Sequence, residues 1–167
     1  MRIFRNASLG GAVAALVLGA GLASPAAADT DPTHISIFGC DIFEGGETIV
    51  PAGTVETDQD GWAVGTKGAL VHWLNSQQTT VTVQYDDEAA TTQDFTDQWT
   101  DPAQVEGERV WVSLLQGPTL DLSAGETVLV TVVISWTSPT LEFFFDGEHP
   151  VLIKGNHLEA SCLITAA

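Results

Sequence analysis

Thr127-Val128-Leu129-Val130-Thr131-Val132-Val133-Ile134-Ser135-Trp136 is the stretch on which the fold turns. Val128, Val130, Val132, Ile134 and Trp136 fall on one face, and Thr127, Thr131 and Ser135 fall on the other. A period of two is the mark of a strand with one buried face, and this density of β-branched residues predicts a central strand. Outward from it the same period recurs. Val81, Val83 and Tyr85 alternate with Thr80, Thr82 and Gln84, and Leu141, Phe143 and Phe145 alternate with Glu142, Phe144 and Asp146. Further candidates are Ile35 to Phe38, Thr48 to Val50, Ala69 to Leu74, Val110 to Leu115, Val151 to Ile153 and Ala160 to Thr165.

Between these runs lie turn signals: Glu44-Gly45-Gly46, Pro51-Ala52-Gly53, Asp60-Gly61, Gln116-Gly117-Pro118, Ser123-Ala124-Gly125 and Asp146-Gly147. Eight or nine short strands with such punctuation predict an all-β, antiparallel β-sandwich. Two places fit less smoothly. The stretch His72 to Gln78 reads equally as a helical turn or a strand end, and the first strand needs a bulge at Gly39 to keep its register.

The first 28 residues read differently. Arg2 and Arg5 open the chain, Leu9 to Leu22 is apolar and uncharged, and Ala26-Ala27-Ala28 sets small residues before Asp29. That is the three-part layout of a secretory signal peptide, so cleavage is predicted to leave one domain over residues 29–167. The apolar run is shorter than the roughly 20 residues a spanning helix needs, and no stable membrane insertion is expected after cleavage. The expected location is secreted or extracellular.

Composition narrows the partners. The chain carries 22 acidic residues against five Lys and Arg, a formal charge of −17. Loss of Arg2 and Arg5 leaves three basic residues against the same 22 acids, or −19. Nucleic acid is excluded as a partner because its affinity comes from Lys and Arg displacing phosphate counterions. Anionic membrane surfaces are disfavoured for the same reason. High net charge also favours solubility.

The two cysteines, Cys40 and Cys162, sit near opposite ends of the domain. In an oxidising compartment they most simply pair, tying the first strand to the last. A zinc or redox pair is the weaker alternative, since they form no Cys-x-x-Cys and no His lies at zinc-ligand spacing.

The Val50-Pro51-Ala52-Gly53 turn, the run Leu122-Ser123-Ala124-Gly125-Glu126-Thr127 into a Val-rich strand, the terminal Cys162 strand and the leader together carry a resemblance in layout. The chain resembles the small secreted immunoglobulin-like β-sandwich proteins of high-GC Gram-positive bacteria, which implies that fold. Its cysteine spacing is wider than the inter-sheet bridge of true immunoglobulin domains. The resemblance transfers no functional residue.

Three sets of residues offer chemistry. The polar stretch Asp86 to Arg109 reads as an elaborated loop, and its Asp94, Asp97 and Asp101 offer carboxylate oxygens of the kind Ca²⁺ accepts. Asp58-Gln59-Asp60-Gly61 has the middle of a calcium loop, but the twelfth place would be Lys67 where a bidentate Glu is required, so a plain Asp-Gly hairpin turn is expected. Among five tryptophans, Trp136 belongs to the core face, while Trp62, Trp99 and Trp111 are candidates for stacking on a sugar. Trp111 alternates away from Val110, Val112 and Leu114 and is expected to point outward.

Catalysis has less support. There is no Gly-x-Ser-x-Gly elbow, the four histidines are scattered, and paired carboxylates mean nothing without their separation. The expected function is therefore a secreted, non-catalytic binding or adaptor protein, its partner another exported protein or a cell-surface component, with no cofactor other than possible Ca²⁺. The alternative is a calcium-dependent or aromatic-platform carbohydrate-binding module. A small glycoside hydrolase using paired carboxylates ranks third. A sugar module would expose Trp99 or Trp111 on a flat or grooved face, whereas a protein binder would show an apolar patch or an open strand edge.

Overall fold

The computed structural model describes residues 31–86, 88–137, 142–145, 149–152 and 156–167. The predicted leader over residues 1–28, the start at Asp29, the Asp146-Gly147 turn, Leu141 and Ile153 lie outside the described residues. Among the described residues, no helix is long and apolar enough to cross a membrane.

The predicted central strand is β10 (Thr127–Trp136), and it lies in the middle of a five-stranded sheet. Its neighbours are β5 (Gln77–Tyr85) and β13 (His157–Ala166), both antiparallel to it over nine paired residues. Val128, Val130, Val132, Ile134 and Trp136 are all buried, as the alternation requires. Beyond β13 lies β2 (Glu47–Val50), running parallel to it, and β6 (Thr91–Asp94) ends the sheet beside β5.

Two small sheets accompany it. In one, β3 (Gly53–Glu56) lies between β1 (Thr33–His34), its parallel partner, and β9 (Thr119–Leu122), its antiparallel one. In the other, β8 (Trp111–Leu114) lies between β4 (Gly61–Val64) and β7 (Ala103–Gln104). A hairpin, β11 (Glu142–Phe145) with β12 (His149–Leu152), completes the described strands. The molecule is mostly β, but its sheets are mixed where an antiparallel sandwich was expected.

Cys40 and Cys162 are bridged, with Cα atoms 5.7 Å apart. The bridge does not join two strands. It ties the last strand, β13, to a helix, α1 (Ile37–Phe43), which occupies the segment expected to be the first strand. The cause is local. Ser36 stands at the N-cap, its Oγ accepts from the Gly39 amide at 2.7 Å, and Ile37, Phe38 and Cys40 turn inward. Gly39 is thus a helical residue, and no bulge is needed.

The run Ala69 to Leu74, also expected as a strand, lies in α2 (Lys67–Leu74). Thr66 caps it by accepting from the Ala69 amide, and Leu70 and Trp73, three residues apart, share its buried face. These helices join the inner face of the five-stranded sheet in one core with Val55, Trp62, Leu115, Leu120 and Leu122.

The Asp60-Gly61 pair makes no hairpin, because β3 and β4 belong to different sheets. Asp60 instead turns its carboxylate into the protein, 2% exposed, against the start of α1. One oxygen accepts from Ser36 Oγ at 2.6 Å and the Phe38 amide at 3.0 Å; the other accepts from the Ile37 amide at 3.0 Å. These donors are helix-terminal groups that would otherwise be orphaned. Burial nonetheless dominates and pushes the Asp60 pKa up to about 6.

A folded-state pKa above the unfolded value means that the native protein binds this proton more tightly. The associated stability is complete below the unfolded pKa of about 4 and is lost as pH rises through 6. From pH 4 to 7, the stability of the wild type relative to Asp60→Asn should therefore fall by about 2 kcal/mol. Urea denaturation of both proteins across that range measures it, and a pH-independent difference would show that Asp60 does not titrate in this window.

Candidate functional site

The parallel pairing of β1 with β3 sets His34 directly beside Glu56. Asp58, two residues further along, extends the same row. His34 Nδ1 lies 2.9 Å from Asp58 Oδ1 and 3.5 Å from Glu56 Oε2. The hydrogen bond to Asp58 raises the imidazole above its ordinary pKa against an opposing desolvation, and the charges of Asp58, Glu56 and Asp31 add to the rise.

Glu56 and Asp58 also form part of the wall of an open groove of about 480 Å³. The groove is further lined by Gln93 and Asp94 of β6, by Phe95 and Gln98 beyond it, and by the segment from Gln116 to Thr119. Its shape depends on a close approach of two segments of the chain. A Cβ on Gly117 would collide with Thr57 Oγ1 and with the Thr57 carbonyl, so only glycine allows this segment to lie against the end of β3. Thr57 then donates from both its amide and its hydroxyl to the Pro118 carbonyl.

The part of the lining around Asp94 is anchored from the core. Trp99 Nε1 donates to Thr79 Oγ1 at 3.0 Å, and Thr79 Oγ1 donates to Gln77 Oε1 at 2.7 Å. Gln77 Nε2 in turn donates to the Thr96 carbonyl at 2.9 Å, and the Thr79 amide donates to Thr96 Oγ1 at 3.1 Å. Gln77 and Thr79 are buried, where polar groups must find partners, so this network fixes Thr96 in place. Hydrogen bonds from the Thr96 side chain and backbone hold the Asp94 carboxyl below the usual carboxylate range. Asp94 therefore faces the groove as an anion.

The residues singled out from the sequence are distributed unequally. Of Asp94, Asp97 and Asp101, Asp94 alone lines the groove, and the three do not come together as a ligand set. The stretch that carries them is less irregular than expected, because it contributes both β6 and β7. Trp62 is fully buried, stacked on Trp73 at 4.4 Å between centroids with planes 6° apart. Trp99 is half-buried and meets Trp73 edge-on at 4.9 Å.

Trp111 does not point outward, because the strand has the opposite phase to that expected. Ser113 and Leu115 are buried, Leu114 is exposed, and Trp111 is half-buried with Lys67 Nζ 5.3 Å from its ring centroid. The three tryptophans form no common platform. Of His34, Glu56 and Asp58, the sequence singles out Asp58 alone, and there as part of an Asp-Gly turn. Glu56 ends β3 and Asp58 follows it by two residues, so their closeness is local, but His34 reaches them only through strand pairing.

No family model matches the chain, and comparisons with curated proteins and with solved structures returned no match.

Proposed function

We propose that this is a secreted, non-catalytic binding protein that holds a cationic stretch of another exported protein, or of a cell-surface component, in its acidic groove. The observation that carries the reading is the convergence of Glu56, Asp58 and Asp94 on one groove that Gln93, Gln98 and Gln116 also line. Carboxylates gathered on a surface repel one another unless solvated or matched by positive charge. Lys or Arg side chains of a partner would supply that charge, and the glutamine amides can hydrogen-bond an extended backbone. The groove volume falls within the range of about 300–1,000 Å³ typical of ligand sites.

Two features support the choice over a sugar module. Trp62 is fully buried and Trp99 and Trp111 are half-buried, with Lys67 over the Trp111 ring, which leaves less flat aromatic surface than stacking on a sugar uses. Edge strand β6 borders the groove, and an unpaired strand edge is a natural template for an added strand. Export is supported by the three-part leader and by the disulfide, since such bonds persist in oxidising compartments.

The test is binding of a labelled, extended Lys-rich peptide, measured by fluorescence anisotropy at increasing salt. Affinity should fall as salt rises, and Glu56→Gln/Asp58→Asn/Asp94→Asn should weaken it by about tenfold, since each exposed or partly exposed ion pair contributes only modestly and the three act together. Equal binding by the triple variant would overturn the reading. So would equal binding of an acidic peptide of the same length. Affinity capture from culture fluid with wild type and triple variant side by side then identifies the natural partner as the species that only the wild type retains.

A further inference from the structure

At one end of the groove the His34, Glu56 and Asp58 side chains present one imidazole nitrogen and two carboxylates whose ligand atoms all lie within 4.8 Å of one another. The Nδ1 to Asp58 and Nδ1 to Glu56 separations are 2.9 and 3.5 Å. A metal bound at about 2.0–2.2 Å by nitrogen and carboxylate oxygen has neighbouring ligand atoms about 3 Å apart, so the two distances from the imidazole are already close to those of neighbouring ligands in a coordination shell.

We propose that His34, Glu56 and Asp58 form a binding site for a first-row divalent cation of the zinc class, with its remaining coordination positions open toward the groove. The donor set selects the metal class. An imidazole with two carboxylates suits Zn²⁺ and its neighbours, whereas Ca²⁺ takes six to eight oxygens and is a poor match for a ring nitrogen. The framework is preformed. His34 and Glu56 are fixed opposite each other by the pairing of β1 with β3, and Ile35 continues that tie by donating its amide to the Glu56 carbonyl and accepting from the Gln59 amide.

Access is also in place. His34 is exposed, Glu56 and Asp58 are partly so, and both carboxylates line the groove, so an ion can enter without displacing any part of the core. Three protein ligands with the rest open is the arrangement of sites that exchange a water or a ligand group, in contrast to closed structural sites. The site is independent of whether the groove takes a cationic partner, because it requires only the protein and the ion.

Isothermal titration calorimetry of the purified, chelator-stripped protein with Zn²⁺ alone tests the site. One equivalent should bind to the wild type. His34→Ala and Asp58→Asn should each weaken binding by at least about tenfold, since even loss of a residue that merely supports a metal ligand costs about 10–100-fold. His157→Ala should leave this binding unchanged, because His157 with Glu159 forms a separate surface pair at 3.6 Å. Circular dichroism and a thermal melt of each variant establish that it is folded, which exposed His34 should tolerate. Absence of Zn²⁺ binding by the wild type at hundreds of micromolar would overturn the proposal. Equal affinity in His34→Ala would overturn it as well, leaving His34 as an imidazole that only neutralises the Glu56 and Asp58 carboxylates.

Discussion

Replacing Cys40 and Cys162 together with alanine should lower the stability of the protein by about 4–5 kcal/mol, the chain-entropy estimate for a closed loop of more than 100 residues. For a domain of this size that corresponds to a fall in melting temperature of about 10–20 °C. The size of the expected effect follows from what the bridge connects. A seven-residue helix has too few turns to persist by itself, so α1 depends on its docking against the sheet. The disulfide pins that helix to β13, and the buried Asp60 carboxylate, held by the Ser36, Ile37 and Phe38 donors, fixes its first turn. Without the bridge, α1 should be the first element to open, and hydrogen exchange should show early loss of protection at Cys40 and Glu44, whose amides donate within and just beyond the helix. Chemical denaturation of the double variant and of the reduced wild type measures the loss. A difference under 1 kcal/mol, on the scale of ordinary surface substitutions, would mean that packing and the Asp60 network hold α1 by themselves.

What was legible in the sequence follows from where side chains sit relative to water. β10 is bounded by strands on both sides and buried on one face, so Val128, Val130, Val132, Ile134 and Trp136 face inward in strict alternation, while Thr127, Leu129, Thr131, Val133 and Ser135 face the less buried side. β13 follows the same rule, with Ala160, Cys162, Ile164 and Ala166 turned inward. β6 follows no such rule. Its residues, Thr-Thr-Gln-Asp, are exposed on both faces at the edge of the sheet, so there is no alternation to read and the segment passes for a loop. The two helices were missed for a related reason. At seven and eight residues they span about two turns each, and over that length an apolar run fits either period. Their starting signals, Ser36 and Thr66, are short hydroxyl residues equally common in turns.

Long-range chemistry was the least accessible. Asp60 reads as half of an Asp-Gly turn, because the groups it serves lie 22 to 24 positions away. The pairing of His34 with Glu56 depends on a parallel register, which no local turn announces. The groove likewise assembles from the end of β3, from β6 and from the Gln116 to Thr119 segment. Its Gly117 was legible as part of a turn, but its close approach to Thr57 was not.

The second large effect concerns the tryptophans, where the sequence reading and the packing part most sharply. Trp73 lies between two rings, face to face with Trp62 at 4.4 Å and edge to face with Trp99 at 4.9 Å, while Trp62 meets Trp136 at 5.3 Å and 60°. Trp73 is fully buried, so Trp73→Ala removes a large side chain from the centre of this cluster. The expected cost is about 3–5 kcal/mol, with each lost aromatic pair adding about 0.5–1.5 kcal/mol. Trp111→Ala should cost about 1 kcal/mol, because that ring is half-buried and its partner, Lys67, is a single cation near its face. Urea denaturation of the two variants gives the comparison. Near-ultraviolet circular dichroism gives a second, independent reading: the strong signal expected of closely stacked indoles should collapse in Trp73→Ala and persist in Trp111→Ala. Trp99→Ala is the decisive third case. Its indole both packs on Trp73 and anchors Thr79, so its loss should destabilise the fold and loosen Thr96, which holds Asp94 at the groove. A Trp99→Ala protein as stable as the wild type would return that ring to the surface and reopen the case for a stacked sugar. A destabilised one with weakened peptide binding would tie the tryptophan cluster to the acidic groove through a single chain of hydrogen bonds.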